Sequence, residues 1–405
     1  MGPTKKVDLA AVERAREVVT GVVARTPIVA SVALTERVGS PVVLKAENLQ
    51  RTGAFKIRGA VNKLANLGPG ASKGVTAGSA GNHAQALAFA AQHAGVPCAI
   101  FVPAGASIAK VEACRSYGAT VEEGGASLAE AMAAANAHAE ATGMVLCHPF
   151  DDPDVVAGQG TLGLELVDDV EDLGCVIVPV GGGGLASGVA IAVKSQMPHT
   201  RVVGVQAEVC APYAGGSPPT GPVTTLADGI AVKSPGTFTR PLVEQWLDDI
   251  VAVDEDSIAD AMVLLMERAK LYVEGAGAVG VAALLSEKID LPPTGTTCVV
   301  LSGGNVDLGV VPGLIRRREN AAGRRLAVFV KIDDRPGGLA ALLSVFAAGG
   351  ANLIEVQHVR EGLDLHVRET GVHATFEVRS RDHAAAVVAA VRAAGYTSLQ
   401  AESGS

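Results

Sequence analysis

The sequence predicts an α/β protein built on parallel sheet and followed by a smaller module of ferredoxin-like order. Three observations carry this prediction. Between residues 71 and 178, short apolar runs alternate with alanine-rich segments of helical spacing, the order expected of strands joined by crossover helices. Glycine-rich turns follow apolar runs at residues 79–83, 181–185 and 302–305, where ligands bind in such sheets. Near residue 316 the pattern changes, and residues 326–400 read as β-α-β-β-α with a short final strand.

In chain order, Leu9, Val12, Val18, Val19 and Val22 fall at helical spacing behind Asp8, an N-cap candidate, and Thr26-Pro27 is expected to stop that helix. Residues 42–46 form a short apolar strand that delivers the chain to residues 51–60. The run 74–77 leads into Gly81-Asn82-His83 and a helix through Ala94. Strands follow at 98–102 and 120–122, with helices at 108–117 and 127–142. Further apolar strands lie at 176–180 and 299–301. The charged stretch 316–325, with Arg316, Arg317, Arg318, Arg324 and Arg325, reads as a solvated linker. The expected boundaries are 1–320 for the first region, 321–325 for the linker and 326–400 for the module. Within the module, strands are expected at 326–332, 352–359, 373–378 and 397–400, and helices at 339–348 and 384–394.

Of 405 residues, 48% are apolar but only 3% aromatic, which suits closely packed α/β layers better than an aromatic-rich sandwich. A net charge of −9, with no basic patch interleaved with aromatics, argues against a nucleic-acid partner. Residues 1–8 lack the apolar core of a signal peptide, and no window is long and apolar enough to cross a bilayer. No membrane association and a cytoplasmic location are therefore expected. The cysteines Cys98, Cys114, Cys147, Cys175, Cys210 and Cys298 show no Cys-x-x-Cys spacing, so neither a disulfide framework nor a zinc site is expected.

The stretch Arg51-Thr52-Gly53-Ala54-Phe55-Lys56-Ile57-Arg58-Gly59-Ala60 sets one lysine between an aromatic ring and the start of a helix. A lysine amine condenses with an aldehyde best where its charge is disfavoured. Taken alone, such a lysine is more often a surface residue of an amphipathic helix. The glycine turns change that balance. Glycines let backbone approach a phosphate, and N–H groups at a helix start hold the anion. A glycine run can also be a flexible linker, but Gly181-Gly182-Gly183-Gly184-Leu185 is wedged between an apolar strand and an apolar helix.

With the lysine stretch, Ser79-Ala80-Gly81-Asn82-His83, the glycine run and Ser302-Gly303-Gly304-Asn305 together, the first region resembles the pyridoxal-phosphate enzymes of the tryptophan-synthase-β type, and within them the threonine dehydratases (threonine ammonia-lyases). Glu47-Asn48-Leu49-Gln50, His148-Pro149-Phe150-Asp151-Asp152-Pro153, Gly158-Gln159-Gly160-Thr161 and Ala227-Asp228-Gly229-Ile230-Ala231-Val232 narrow the match. Residues 326–400 are similar to an ACT regulatory domain, through Asp334-Arg335-Pro336-Gly337-Gly338-Leu339 and Asn352-Leu353-Ile354. The fold this implies is pyridoxal-phosphate fold type II: two open parallel-sheet subdomains, the smaller one (about 50–150) inserted in the larger, then a ferredoxin-like ACT domain.

The resemblance implies roles for particular residues. Lys56 would carry pyridoxal 5'-phosphate as a Schiff base and later take the substrate's α-proton, with Phe55 packed against the ring. Asn82 would bond the ring hydroxyl, and Ser302 would face the pyridine nitrogen. The backbone of Gly181, Gly182, Gly183, Gly184 and Leu185 would hold the phosphate. Ser79, Ala80, Gly81, Asn82 and His83 would bind the substrate carboxylate. Glu274 would lie near the ring, or else simply cap a helix.

The implied reaction is dehydration and deamination of L-threonine to 2-oxobutanoate and ammonia, with L-serine a poorer substrate. The related serine racemases carry a serine directly before the glycine of the second turn, as a second proton-handling group. Ala80 stands there in this chain and favours elimination over racemisation. A serine dehydratase or racemase of the same fold, or an amino-acid-binding regulator without catalysis, are the alternatives. The ACT resemblance implies an amino-acid effector, isoleucine or an opposing valine, because threonine dehydration feeds isoleucine biosynthesis; a purely structural dimerisation module is the other reading. A homo-oligomer, dimer or tetramer, is expected. No metal is expected: Glu208 aligns loosely with a cation ligand in some relatives, and a solvated carboxylate is the simpler reading.

Overall fold

The computed structural model describes residues 6–360 and 365–402. Residues 1–5 lie outside the described residues. The chain divides into two compact units, Met1–Asp307 and Leu308–Ser405.

The first unit holds two sheets. The larger has six strands in the order Ile28–Ala30, Val42–Lys45, Thr296–Val300, Leu173–Pro179, Arg201–Ala207 and Asp249–Val253. All neighbours pair parallel except Ile28–Ala30, which runs antiparallel to Val42–Lys45. The smaller has four parallel strands in the order Thr120–Glu123, Cys98–Val102, Val75–Gly78 and Val145–Leu146. In sequence, the smaller sheet is inserted between the second strand of the larger and Leu173–Pro179. Parallel strands covered on both faces read as continuous apolar runs rather than alternating ones. Cys98–Val102 and Thr296–Val300, buried at every position, show this.

The helix Pro153–Asp169 is buried from Val155 through Leu166, and Gly184–Gln196 is buried through Val193. These helices sit in the interior, so no amphipathic stripe marks them. Pro153–Asp169 approaches the helix Lys56–Leu67 very closely: a Cβ on Gly158 would lie 2.6 Å from the Arg58 carbonyl oxygen. All six cysteines are buried and free, with burial raising the thiols, Cys298 to about 12. Among the described residues no helix is long and apolar enough to cross a membrane.

The second unit contains the helix Val311–Ala321 and an antiparallel sheet in the order Asn352–Val359, Glu369–Glu377, Arg325–Asp333 and Gln400–Glu402. Helices Gly338–Ala348 and Arg381–Ala393 complete a ferredoxin-like order. Along Arg325–Asp333, burial alternates, with Leu326, Val328, Val330 and Ile332 in the core. Phe346 and Phe376 stack there with ring centroids 4.1 Å apart.

Several elements differ from expectation. The first helix spans Leu9–Val19 and ends at Thr20, before Thr26-Pro27, where extended backbone at Thr20 and a left-handed Gly21 turn the chain. Arg316, Arg317 and Arg318 are not in a linker but on the exposed side of the helix Val311–Ala321, which groups with the second unit. The last strand is Gln400–Glu402, paired with Ala327–Phe329, rather than 397–400. The short edge strand Ile28–Ala30 and the helix Pro153–Asp169 had no distinct periodic signal, being set by pairing and by burial on all sides.

Candidate active site

Lys56 opens the helix Lys56–Leu67, and the chain before it is pinned to the end of the large sheet. Phe55 donates its N–H to the Ser302 carbonyl at 3.1 Å, and Ala54 bridges to Gly303. The Lys56 amine donates to the Pro149 carbonyl at 2.9 Å and lies 5.2 Å from the Phe55 ring centroid. Burial lowers its pKa from the usual lysine value to about 8, against an opposing pull from Glu274. An amine that sheds its proton near neutrality is a nucleophile and a base.

Two helix starts face this amine. Asn82–Ala94 begins at the Ser79–His83 turn, where Gly81 donates its N–H to Ser79 Oγ at 3.4 Å and no side chain caps the helix. Gly184–Gln196 begins at the glycine run, again without a side-chain cap, behind a left-handed Gly183. A Cβ on Gly182 would fall 2.3 Å from the Phe150 ring, so only glycine fits. The Gly182 carbonyl is held by the Thr239 hydroxyl at 2.6 Å and the Tyr213 hydroxyl at 3.3 Å. Asp151 braces the same region by accepting from the backbone N–H groups of Thr237, Phe238 and Thr239. With its carbonyl held this way, the loop has uncapped N–H groups to offer an anion.

The third wall is a chain of polar side chains. Asn305 donates to Thr52 O and to Asn82 Oδ1, each at 2.8 Å, and Asn82 donates to Glu274 Oε1 at 2.7 Å. Burial, helped by Asp228, pushes the Glu274 carboxyl up to about 7. His83 is different from its neighbours: its Nε2 meets the Cys147 carbonyl at 2.9 Å, and burial first, then Lys56, hold its pKa down to about 3. The imidazole is therefore neutral and held by the Cys147 carbonyl at the edge of the turn.

A cavity of about 890 Å³ brings these walls together. Lining it are Phe55, Lys56, the Ser79–His83 turn, Gly181 through Leu185, Glu274 and Ser302. It is also lined by residues whose role the sequence left open: Met132, His148, Pro149, Gln159 and Asp228. Gln159 is buried with its Oε1 lacking a hydrogen-bond partner. The phrases around His148 and Gln159 were visible as motifs; that they face Lys56 depends on contacts across the chain. Glu208, half-exposed, lies 3.9 Å from Lys288, and among the described residues no group of His, Cys, Asp or Glu is arranged to hold a metal.

The donor set suits pyridoxal phosphate: an amine for the aldehyde, an uncapped glycine-lined helix start for the phosphate and a polar wall for the ring. The class these features define is borne out by comparison. The sequence profile of the family "Pyridoxal-phosphate dependent enzyme" matches residues 19–303, and the chain belongs to that family. More narrowly, the chain is 45% identical over 382 residues to the L-threonine ammonia-lyase of Geobacter sulfurreducens, covering 92% of this chain and 94% of that one. Among solved structures it is similar to a threonine deaminase from T.th. (40% identity, TM-score 0.70, 75% of this chain and 99% of that one). It is also similar to maize serine racemase (35% identity, TM-score 0.73, 78% and 99%). The first unit thus has the type II pyridoxal-phosphate fold, and the second fits an ACT-like domain.

Proposed function

We propose that this chain dehydrates and deaminates L-threonine to 2-oxobutanoate and ammonia, with L-serine as a poorer substrate. The observation that carries the reading is the half-buried Lys56 amine sharing one cavity with two uncapped helix starts, one for a phosphate and one for a carboxylate. The names of the relatives, threonine ammonia-lyase and threonine deaminase, agree with it.

When bound, pyridoxal phosphate supplies an electron sink for the substrate's α-carbon. The rest is done by the chain. The backbone of Gly181–Leu185 would grip the phosphate, and Lys56 would be the amine that holds the cofactor's aldehyde. The N–H groups of the Ser79–His83 turn fix the substrate carboxylate, which sets the α-hydrogen toward Lys56. The Lys56 amine, low in pKa, takes that proton. Ser302, a neutral lining residue, would meet the ring nitrogen without holding a proton there, and Asn82, oriented by Glu274 and Asn305, would bond the ring hydroxyl. Ala80, which lines the same cavity as Lys56, offers no proton, and this supports elimination over the racemase reading suggested by the maize relative.

Keto-acid release from L-threonine and L-serine tests the substrate. Lys56→Ala should abolish turnover and the visible absorbance of the loaded protein; an undiminished band would mean that another amine carries the cofactor.

The second unit is read as a regulatory amino-acid site. A pocket of about 550 Å³ is lined by Asp334, Arg335, Leu339, Leu343, His358 and Arg360, with Arg360 donating to Asp334 at 3.0 Å. Charged groups of both signs beside leucines match an amino acid with an aliphatic side chain, isoleucine first and valine second. The edge strand Asn352–Val359, with Leu353, Ile354 and Val356 exposed, supports assembly into a homo-oligomer, dimer or tetramer. Sedimentation would give the number of subunits.

A further inference from the structure

A buried ion cluster beside Lys56 takes no part in the chemistry above. Arg58 is fully buried, two residues beyond Lys56, and its guanidinium is held from both sides. Nε and Nη2 donate to Glu47 at 2.9 and 2.7 Å, and Nη1 and Nη2 donate to Glu165 at 2.7 and 3.0 Å. Nη1 also reaches Thr161 Oγ1 at 3.2 Å. Lys45, also fully buried, lies 2.7 Å from Glu165 and 3.6 Å from Asp169, which in turn pairs with Arg25.

Stability alone is a weak reason for such a cluster, because a buried ion pair is commonly no more stabilising than apolar side chains of the same volume. What two bidentate grips on one planar group supply is geometry. The elements they join are those that place the Lys56 amine. Glu47 follows the strand Val42–Lys45, and Arg58 lies in the first turn of Lys56–Leu67. Glu165 lies on Pro153–Asp169, the helix entered through the segment that carries Pro149, the acceptor of the Lys56 amine. Where the two helices cross, Gly158 brings backbone against backbone, with its Cβ position 2.6 Å from the Arg58 carbonyl. Asn62 and Lys63 tie the same helix to Asp154 and Asp152 one turn and more beyond Arg58, so the Arg58 clamp is the fixed point at the end of the helix that carries Lys56.

We propose that Arg58 is a positioning residue: clamped between Glu47 and Glu165, it fixes the helix Lys56–Leu67 against Pro153–Asp169 and so sets where the Lys56 amine stands. This rests on Lys56 being the amine that holds the cofactor. Arg58→Lys keeps the charge but loses the planar fork. In that variant the visible band of the loaded protein persists but its pH midpoint shifts, and the unloaded protein takes up pyridoxal phosphate at an altered rate. Its kcat falls roughly ten- to a hundredfold while KM stays within about threefold, the signature of a displaced catalytic group. Glu165→Gln, which keeps the side-chain shape and removes one charge, reads the same quantities if Arg58→Lys fails to fold. A folded variant with a lower Tm but unchanged kcat, band and uptake rate overturns the proposal, since the cluster then only stabilises. Lys56→Ala is measured alongside. A retained band there defeats the reading of Lys56 itself, whereas a colourless Lys56→Ala beside an unaltered Arg58→Lys defeats the positioning role alone.

Discussion

At the residue scale, the Lys56 and Glu274 pair makes the site pH-sensitive in a defined direction. Burial lowers Lys56 to about 8, and the Glu274 charge opposes that shift. Only the neutral amine attacks an aldehyde, so cofactor uptake by the unloaded protein should quicken with rising pH and level off above the Lys56 pKa of about 8. Glu274→Gln removes the opposing charge, so the Lys56 pKa falls further and the plateau begins at lower pH. A stopped-flow pH series on both proteins checks this, and coincident profiles would show that Glu274 does not act on Lys56. The second residue is Ala80. Ala80→Ser adds a hydroxyl beside Ser79 at the position before Gly81, and chiral analysis should then find D-serine formed from L-serine. Absence of D-serine would mean that racemisation needs more than this one group.

At the scale of elements, the glycine run is the part where one methyl group decides binding. Gly182→Ala would set a Cβ 2.3 Å from the Phe150 ring. Relieving that overlap costs about 1–3 kcal/mol. Because the loop moves with the ring, the expected result is roughly ten- to hundredfold weaker pyridoxal-phosphate binding by absorbance titration. Tight binding in Gly182→Ala would show that the Phe150 ring yields without disturbing the loop. Such turns are legible in a sequence because glycine after an apolar strand is a local signal. The Asn305–Asn82–Glu274 chain is not, since it joins residues 223 and 192 positions apart. Nor is the helix Pro153–Asp169, whose burial on all sides erases the periodicity that marks surface helices.

At the scale of the whole molecule, the second unit is where regulation would enter. Isoleucine should inhibit threonine turnover in the full chain, and a chain ended at Arg325 should lose that inhibition. Where isoleucine acts by weakening threonine binding, linkage makes the coupling reciprocal, so threonine must weaken isoleucine binding by the same factor. Calorimetric titration of isoleucine with and without threonine tests this, and indifference of both the full and the shortened chain would leave the second unit an assembly module.

The sequence by itself determined the parts whose signals are short-range: the parallel α/β pattern, the reactive-lysine stretch, the three glycine turns at strand ends and the ferredoxin-like order after residue 325. Each depends on residues within a few positions of one another, where periodicity, turn chemistry and capping act. Only the tertiary structure decided which groups face Lys56. Pro149 accepts its hydrogen bond, Glu274 opposes its shift in pKa, and His83 turns its ring into the core to meet Cys147. It also decided that the arginines at 316–318 belong to a helix and that Arg58 is sealed between two carboxylates. Those facts depend on burial and on contacts between distant segments, and a buried arginine and an exposed one are spelled alike.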